Sequence, residues 1–407
     1  MLNLVRSVYL HTVYRLFGPV IDRIILYNCF HSISIIFTYI TENRKYEAIQ
    51  KVKRGFEDHR SEVILGGTEY ERVFERIARA FNKAKEDQKK VSQPPYLIGV
   101  QWQRTLDNQY GELITALQNC DTEGMKAIFE NFARKQMSAS QGGGVDYFQI
   151  KKQLLYKYLF VNTWYKYYNM CQEVTGKPPV VTYPMVCNPA GLYEDGKVIP
   201  IEAIRFHYCA TQMLLLLEDI SHPVICEIGG GNGGEIYAVI STSERPMTYI
   251  DLDIPEMLAI ATYFLMVAFP EKHFLLYGEE EVDSNNLKNY DIAMVPHFKM
   301  PKLGDETVDL FFNQRSFGEM DSKTVVEYIH QIGRICRGYL MHINHSKKFR
   351  FDENGEKSEN MPCTEIIPDP AKFKKVFEYP WMFNRFEEET IYRGTGNIAF
   401  LYERRKA

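Results

Sequence analysis

The sequence predicts an α/β protein in which a mostly helical region precedes a largely parallel sheet that ends in an antiparallel hairpin. Apolar residues recur at helical spacing over the first 215 or so positions. After Ser221, short β-rich runs alternate with helical segments, and this alternation implies a parallel sheet covered by helices on both faces. Residues 389–405 contain two alternating segments about a Thr-Gly turn, which is the pattern of an antiparallel hairpin.

Helices are predicted before residue 218, and breaks in the apolar pattern separate them. Pro94 and Pro95 end the first helix. The glycine-rich stretch 141–145 predicts a flexible joint, and turns are predicted at Asn188-Pro189 and Asp195-Gly196. The predicted helical segments are Glu69–Lys90, Leu113–Phe132, Asp146–Gly176 and a helix through Tyr208, Met213 and Leu217.

Six buried strands are predicted in the second half of the chain. They are Val224–Ile228, Met247–Asp251, Phe274–Tyr277, Ile292–Val295, Val308–Phe312 and Gly338–Ile343. We therefore divide the chain into a hydrophobic and aromatic helical segment, 1–42, a helical domain for oligomerisation or acceptor binding, 43–215, and a sheet domain, 216–407.

Composition places the chain among globular proteins with a large core. Of 407 residues, 45% are hydrophobic and 25% are charged. The net charge of −4 excludes a protein that mainly coats nucleic acid, because phosphate binding needs a basic face. The eight cysteines form no C-x-x-C pair and no zinc-ligand spacing, which is typical of reduced thiols in the cytoplasm.

The segment Ile24–Ile40 is uncharged and just short of a bilayer span. It lacks the cleavage site of a signal peptide, and five polar residues interrupt it. We favour a packed or oligomer-interface helix. Peripheral contact with a membrane surface, aided by Arg6, Arg15 and Arg23, is the main alternative, and a true span is the least favoured.

A burst of glycines follows the first strand of the sheet domain, in the stretch VICEIGGGNGGEIYAV from Val224 to Val239. Its glycines fit the dinucleotide pattern G-x-G-x-x-G, and they also fit an acid-led pattern formed by Glu227, Gly229, Gly231 and Gly233. A pyrophosphate gains nothing from a carboxylate at the turn, whereas a cationic ligand does. We therefore favour S-adenosylmethionine as the cofactor.

Two acids end the second strand of the sheet domain, in the stretch YIDLDIPEM. Asp251 and Asp253 are well placed to accept hydrogen bonds from ribose hydroxyls, in a nucleotide or in the methyl donor. Asn313 and Gln314 cap a later strand where donor and acceptor would meet, so we expect them to position the ligands.

The sequence resembles the bacterial sugar O-methyltransferases, a family of class I S-adenosylmethionine-dependent methyltransferases with a Rossmann-like sheet. The likeness rests on the acid-led glycine turn, DIPE at Asp253–Glu256, PH at Pro296-His297 and NQRSFGEM at Asn313–Met320. It extends upstream to NPAG at Asn188–Gly191 and RFHYCA at Arg205–Ala210, and more loosely over 94–134. Ala190 and Gly318 depart from the family pattern, which has an aromatic and a polar residue there. The resemblance implies methyl transfer to a sugar hydroxyl in polysaccharide biosynthesis.

A sugar hydroxyl has a high pKa, so its methylation calls for a general base. The candidates follow three predicted strands: His297, Glu319 and, ranked last, His345. Glu319 can equally be an acid that favours a helix N-terminus, and His342 is more typical of a core histidine. A divalent metal held by Glu319, Asp321 or Asp291 is a weaker alternative, and we predict no metal.

We expect the helical domain to supply part of the acceptor pocket. The predicted substrate-binding residues are Asn188 and Tyr208, together with the aromatic residues before them, such as Trp164.

Two other functions remain open from the sequence. The same glycines suit an NAD(P)-dependent oxidoreductase, and the N-terminal segment suits a non-catalytic assembly subunit at a membrane. The acceptor, its hydroxyl and the oligomeric state are not determined by the sequence.

Overall fold

The computed structural model describes residues 45–60, 67–141, 147–148, 156–281, 286–353, 356–383 and 396–406. The segment Ile24–Ile40 and most of the predicted glycine joint lie outside these residues. Among the described helices, none combines the length and the apolar character needed to cross a membrane.

The described part of the first 216 residues is mostly helical, as the sequence predicts. Two very short strands, β1 (Leu192–Glu194) and β2 (Lys197–Ile199), form a hairpin about the predicted Asp195-Gly196 turn. The helices are α1 (Lys45–Gly55), α2 (Gly67–Gln88), α3 (Val100–Gln109), α4 (Gly111–Gln118), α5 (Thr122–Phe129), α6 (Tyr156–Thr175) and α7 (Ile201–Leu216).

The second half of the chain forms an eight-stranded sheet, and all six predicted strands are present. In chain order the strands are β3 (Val224–Ile228), β4 (Thr248–Asp253), β5 (Phe274–Leu276), β6 (Ile292–Pro296), β7 (Val308–Gln314), β8 (Cys336–His345), β11 (Phe373–Pro380) and β12 (Asn397–Arg404). Across the sheet the order is β11-β12-β8-β7-β3-β4-β6-β5.

The six strands from β5 to β8 across the sheet are parallel, and β11 and β12 are antiparallel. Three helices connect successive strands along the chain. They are α8 (Gly234–Thr242), α9 (Pro255–Ala268) and α10 (Ser322–Ile335). A small hairpin of β9 (Arg350–Glu353) and β10 (Glu356–Glu359) follows β8. The predicted α/β fold with a Rossmann-like sheet is therefore confirmed.

The antiparallel C-terminal pair is also confirmed, but its first strand differs from the predicted one. Strand β12 pairs with β11 on one side and with β8 on the other. The sequence predicted the segment just before the Thr-Gly turn as the partner of β12. That segment, 389–393, lies outside the described residues.

The helical region shares a hydrophobic core with one face of the sheet. Phe74 of α2 and Phe129 of α5 stack on Tyr263 of α9, with ring centroids 5.6 and 4.9 Å apart. Polar contacts add to this packing, because Lys85 pairs with the buried Glu256 at 2.8 Å and Tyr277 donates to Asp87 at 2.8 Å. The helical region is thus fixed against the sheet at the edge where the strands end.

Candidate functional site

A cavity of about 340 Å³ lies where four parallel strands end. Residues just beyond β3, β4, β6 and β7 line it, represented by Gly229, Ile254, His297 and Arg315. Because β3 is central and the chain crosses from β6 on one side of it to β7 on the other, this is the switch point at which open α/β sheets bind ligands. Its volume is at the lower end of the roughly 300–1,000 Å³ of small-molecule sites.

The glycine turn forms one wall of this cavity, and its amides are already hydrogen bonded within the protein. The N–H of Gly230 donates to Asp251 at 3.2 Å, and that of Gly231 donates to Asp253 at 3.1 Å. The N–H of Gly233 donates to the carbonyl of Gly230, and that of Gly234 donates to the side chain of Asn232. This turn therefore offers few free amides to a phosphate.

Close packing by the protein's own side chains explains part of the glycine requirement. Gly229 has a φ of +79°, and a Cβ there would lie 2.4 Å from the Oγ of Ser316. A Cβ at Gly230 would lie 2.6 Å from the carboxylate of Asp251. At these two positions, Ser316 and Asp251 occupy the space that a side chain of the turn would need.

Five acidic side chains line the cavity, and burial raises the pKa of four of them. The pKa of Glu227 rises to about 8, although its hydrogen bond from the Tyr249 hydroxyl opposes the rise. The pKa values of Asp253 and Glu319 rise to about 7. The pKa of Glu235 is raised well above its usual range by burial and by the neighbouring Glu227. A cationic ligand in this cavity would stabilise the ionised acids.

His297 also lines the cavity, but its environment makes it a poor base near neutral pH. Its Nε2 lies 2.9 Å from the carbonyl oxygen of Tyr96, and burial lowers its pKa to about 4. The ring is therefore neutral, and with Nε2–H donating to that carbonyl, Nδ1 carries the lone pair.

The helical region forms the roof of the cavity through Leu97, Ile98, Gly99 and Trp102. Tyr96 fixes this roof to the sheet domain, because its hydroxyl donates to Glu327 at 3.0 Å and its ring stacks on Tyr328. Interactions with Arg315 and with Trp102 lower the pKa of Glu319, against the effect of its burial. The helical region thus lines this cavity through the roof segment and through Arg205 and Phe206 of α7.

Three of the predicted cofactor-binding residues do not line the cavity and make other contacts within the protein. Asp251 is fully buried under Gly230, and Gly233 packs against Leu265. Asn313 donates to the carbonyl of Ile228 and accepts from Asn344. The other predicted cofactor residues, Glu227, Gly229, Gly231, Asp253 and Gln314, line the cavity.

His345 is the one candidate base that the structure places outside the cavity. Its Nε2 would lie 2.5 Å from a Cβ added at Gly318, and its ring packs on Phe349. The histidine thus fills the space that a side chain at position 318 would need, which accounts for the glycine there.

The two predicted substrate residues are also away from the cavity. Asn188 is buried, accepts from the backbone N–H of His59 and donates to Asp58 and Asn131, so it joins segments of the helical region. Tyr208 packs in an aromatic cluster against Trp381 and Phe383. Trp164 is buried as well and donates to the carbonyl of Ile199. These three side chains have contacts within the protein and do not line this cavity.

Several cavity residues were missed by the sequence reasoning. Arg205 falls within the quoted RFHYCA segment, and Glu235 interrupts the apolar start of α8. Trp102 and Arg315 carried no signal strong enough to select them before their neighbours in space were known.

Within the part of the chain that the structure describes, no group of three or more metal-ligating side chains clusters together. Asp291 contacts Lys272 and the backbone of His273, and Asp321 caps α10. Of the oxygen ligands considered for a metal, Glu319 and Asp321 line the cavity, whereas Asp291 does not.

No family model and no curated protein matches the sequence. Among solved structures, mitomycin 7-O-methyltransferase MmcR is 13% identical at a TM-score of 0.31, covering 50% of this chain and 56% of that one. A Burkholderia thailandensis 1,6-didemethyltoxoflavin-N1-methyltransferase with bound S-adenosylhomocysteine is 13% identical at a TM-score of 0.32, covering 49% of this chain and 79% of that one. The N-terminal domain of EvdMO1, in the presence of S-adenosylhomocysteine and D-fucose, is 8% identical at a TM-score of 0.33, covering 59% of this chain and 96% of that one. Scores this low carry no inference about the ligands of this chain.

Proposed function

We propose that the protein is an S-adenosylmethionine-dependent O-methyltransferase that acts on a sugar hydroxyl. The observation that supports the donor is the acid-lined cavity beside a glycine turn whose amides are already used. S-adenosylmethionine carries a sulfonium and an ammonium group, so the acids that line the cavity, four of which have raised pKa values, provide a complementary environment. The sugar acceptor rests on the sequence resemblance.

Residues at the ends of β3 and β4 fit two polar parts of the donor, its ammonium group and its ribose. Glu227 lies at the end of β3 and lines the cavity, where its carboxylate can accept a hydrogen bond from the ammonium group. Asp253 lies at the end of β4 and lines the cavity, and each of its carboxylate oxygens accepts one backbone N–H and has a second lone pair to which a ribose hydroxyl can donate. Ile254 and Met257 add apolar surface that suits a purine ring.

The same features disfavour a dinucleotide. A pyrophosphate at the start of α8 would face Glu227 and Glu235 and would find the amides of four turn glycines already paired. Binding of phosphate at a helix N-terminus depends on free amides.

The donor supplies an electrophilic methyl group, and its transfer to a hydroxyl releases the hydroxyl proton. Glu319 is the group best suited to accept that proton, since it lines the cavity and its pKa of about 7 leaves it partly ionised at neutral pH. Of the other candidates, His297 is tied to Tyr96 and has a pKa of about 4, and His345 is outside the cavity. The roof residues Leu97 and Trp102 would exclude water from the reacting groups.

Calorimetric titration of the protein with S-adenosylmethionine, S-adenosylhomocysteine and NAD tests the donor. We expect the first two to bind, and we expect Glu227→Gln to weaken their binding by about tenfold or more, because a charge-assisted hydrogen bond is lost. Glu202→Gln is the matched control, since Glu202 is buried on α7 but does not line the main cavity. Binding of NAD alone would contradict the proposal and favour an oxidoreductase.

A further inference from the structure

The turn that carries Glu319 begins with a strained backbone conformation. Glu319 ends a short 3-10 turn, Ser316–Glu319, which follows β7. Arg315, just before this turn, has a φ of +68°, in the left-handed region that residues with a side chain rarely adopt. Its N–H donates to the carbonyl of Ile343 on β8 at 2.8 Å. Strain of this kind persists only where the surrounding structure holds it, so the contacts around the turn fix the position of Glu319.

Two fully buried asparagines hold this turn, and neither of them lines the cavity. The side-chain amide of Asn344 donates to the side-chain oxygen of Asn313 at 2.8 Å. The side-chain oxygen of Asn344 accepts from the backbone N–H of Gly318 at 3.1 Å. Because Gly318 directly precedes Glu319, Asn344 fixes the backbone one residue before the proposed base.

The same network reaches the glycine turn. Asn313 donates to the carbonyl of Ile228 at 2.8 Å and also to the hydroxyl of Ser316, which donates to that carbonyl at 2.8 Å. Ile228 is the last residue of β3 and directly precedes Gly229. Buried hydrogen bonds therefore connect the backbone beside the donor turn with the backbone beside Glu319, and a network of this kind makes both rigid.

We propose that Asn344 is a positioning residue, which holds the turn of Glu319 so that the carboxylate meets the acceptor hydroxyl beside the donor. The inference rests on the proposed function and deepens it, because Asn344 acts through the proposed base and touches neither ligand. Arg315 and Trp102 lower the pKa of Glu319, whereas Asp253, which also lines the cavity, raises it. A turn that is no longer held would lose the contacts with Arg315 and Trp102.

The first test is the rate of methyl transfer by Asn344→Ala from S-adenosylmethionine into a carbohydrate extract. We expect the rate to fall by about 10- to 100-fold, since a small misplacement of a reacting group has this effect. The midpoint of the rate against pH should rise above about 7 by about half a unit or more, because the roof still buries Glu319. The affinity for S-adenosylhomocysteine, measured by calorimetry, should change by less than about twofold.

A double-mutant cycle separates positioning from a general structural role. If Asn344 acts through Glu319, Asn344→Ala should lower the remaining rate of Glu319→Gln by less than about twofold. A purely structural asparagine would lower the rate by the same factor in both backgrounds. Equal factors would therefore overturn the inference.

Tryptophan fluorescence gives a readout that needs no acceptor. The indole of Trp102 is hydrogen bonded to Glu319, so the difference in emission between the protein and Trp102→Phe should titrate with Glu319, near pH 7. In Asn344→Ala the midpoint of this difference should move upward, as it does for the rate. An unshifted midpoint would contradict the proposed role of Asn344.

Asn188→Ala is the matched control, because Asn188 is an equally buried asparagine whose hydrogen bonds lie within the helical region. It should lower stability and leave both midpoints unchanged. If Asn344→Ala does not fold, Ser316→Ala removes another member of the network, and unshifted midpoints in that variant overturn the inference. Failure of the unmodified protein to bind S-adenosylhomocysteine or to transfer methyl groups would instead overturn the proposed function, and this inference with it.

Discussion

At the scale of single residues, Glu319 is a side chain for which the sequence leaves two roles open, a general base and a helix-terminal acid. An acid in NQRSFGEM reads equally well as a helix-terminal residue. In the structure it lines the cavity beneath the roof, and burial raises its pKa to about 7. That value suits a group that must be ionised before it can accept a proton.

Glu319→Gln should therefore abolish methyl transfer while leaving the donor bound. We expect a loss of about 10²–10⁴-fold in rate, the usual contribution of a general base. The measurement is transfer of labelled methyl groups into a carbohydrate extract, with S-adenosylhomocysteine affinity measured in parallel. The rate of the unmodified protein should rise as pH increases through about 7, because Glu319 must lose its proton. Full activity of the variant would eliminate Glu319 as the base.

His342 is a buried histidine with no role at the cavity. Its ring packs against those of Phe400 and Tyr402, and neither ring nitrogen has a partner among the described residues. Burial lowers its pKa to about 3. The imidazolium therefore forms readily only in the unfolded chain, so acid favours unfolding through this residue.

We expect His342→Phe to stabilise the protein by about 1–3 kcal/mol at pH 5, because unsatisfied polar atoms are removed from the core. A histidine with a lowered folded pKa contributes stability that is lost as pH falls below about 6.5. Denaturant unfolding between pH 4 and pH 7 should therefore show a smaller loss toward acid in the variant. His273→Phe serves as the control, because His273 is exposed. If the free energy of unfolding of His342→Phe depended on pH as steeply as that of the unmodified protein, the explanation would be contradicted.

At the scale of elements, the sheet was the most predictable part of this molecule. Its strands are short apolar runs between polar turns, and a local pattern of this kind marks both ends. The partner of β12 was not predictable in this way, because 16 residues, 381–396, separate it from β11. Pairing over such a distance is decided by the packing of the whole sheet.

Residues of the site were predictable where a predicted strand positions them, and were not predictable where contacts with distant parts of the chain position them. Glu227 and Asp253 lie at the ends of strands that were recognised and Glu319 follows another, so their position at one edge of the sheet follows from the fold. The roof could not be predicted, because it depends on Tyr96 reaching Glu327 and Tyr328, more than 200 residues later. Asn188 and Tyr208 were selected for their chemistry, and their buried contacts lie elsewhere.

The roof provides a spectroscopic test of where ligands bind. The chain has three tryptophans, of which Trp102 lines the cavity while Trp164 and Trp381 are buried elsewhere. We expect S-adenosylhomocysteine to change the tryptophan fluorescence of the unmodified protein and of Trp164→Phe, but to change that of Trp102→Phe by a small fraction only. A full signal in Trp102→Phe would place the ligand outside this cavity.

At the scale of the whole molecule, the buried acids make stability depend on pH and on ligand. The folded pKa values of Glu227, Asp253 and Glu319, about 8, 7 and 7, lie above the usual values near 4. Between about pH 4 and pH 8 the folded state therefore binds more protons than the unfolded state. The free energy of unfolding consequently falls as pH rises through this range. His297 and His342 act in the opposite sense, but only below about pH 6.5.

Without ligand, the melting temperature should therefore fall as pH rises from about 6.5 to 8. S-adenosylmethionine should stabilise the protein more at pH 8 than at pH 6, since its cationic groups favour the ionised acids. Differential scanning calorimetry of the protein and of Glu227→Gln checks both statements, and the variant should show the shallower dependence. A melting temperature that rises steadily to pH 8 would contradict the electrostatic account of the cavity.

The two outer strands of the sheet have a consequence for how copies of the protein can associate. At one edge, β5 has only three residues, and Arg76 occupies the carbonyl of Phe274. At the other, β11 is interrupted by a register shift after Lys375 and ends at Pro380. Short length, lysines, irregular register and proline all discourage the addition of a further strand. Any oligomer of this chain would accordingly be built through side-chain surfaces, and its sheet would not continue from one subunit into the next.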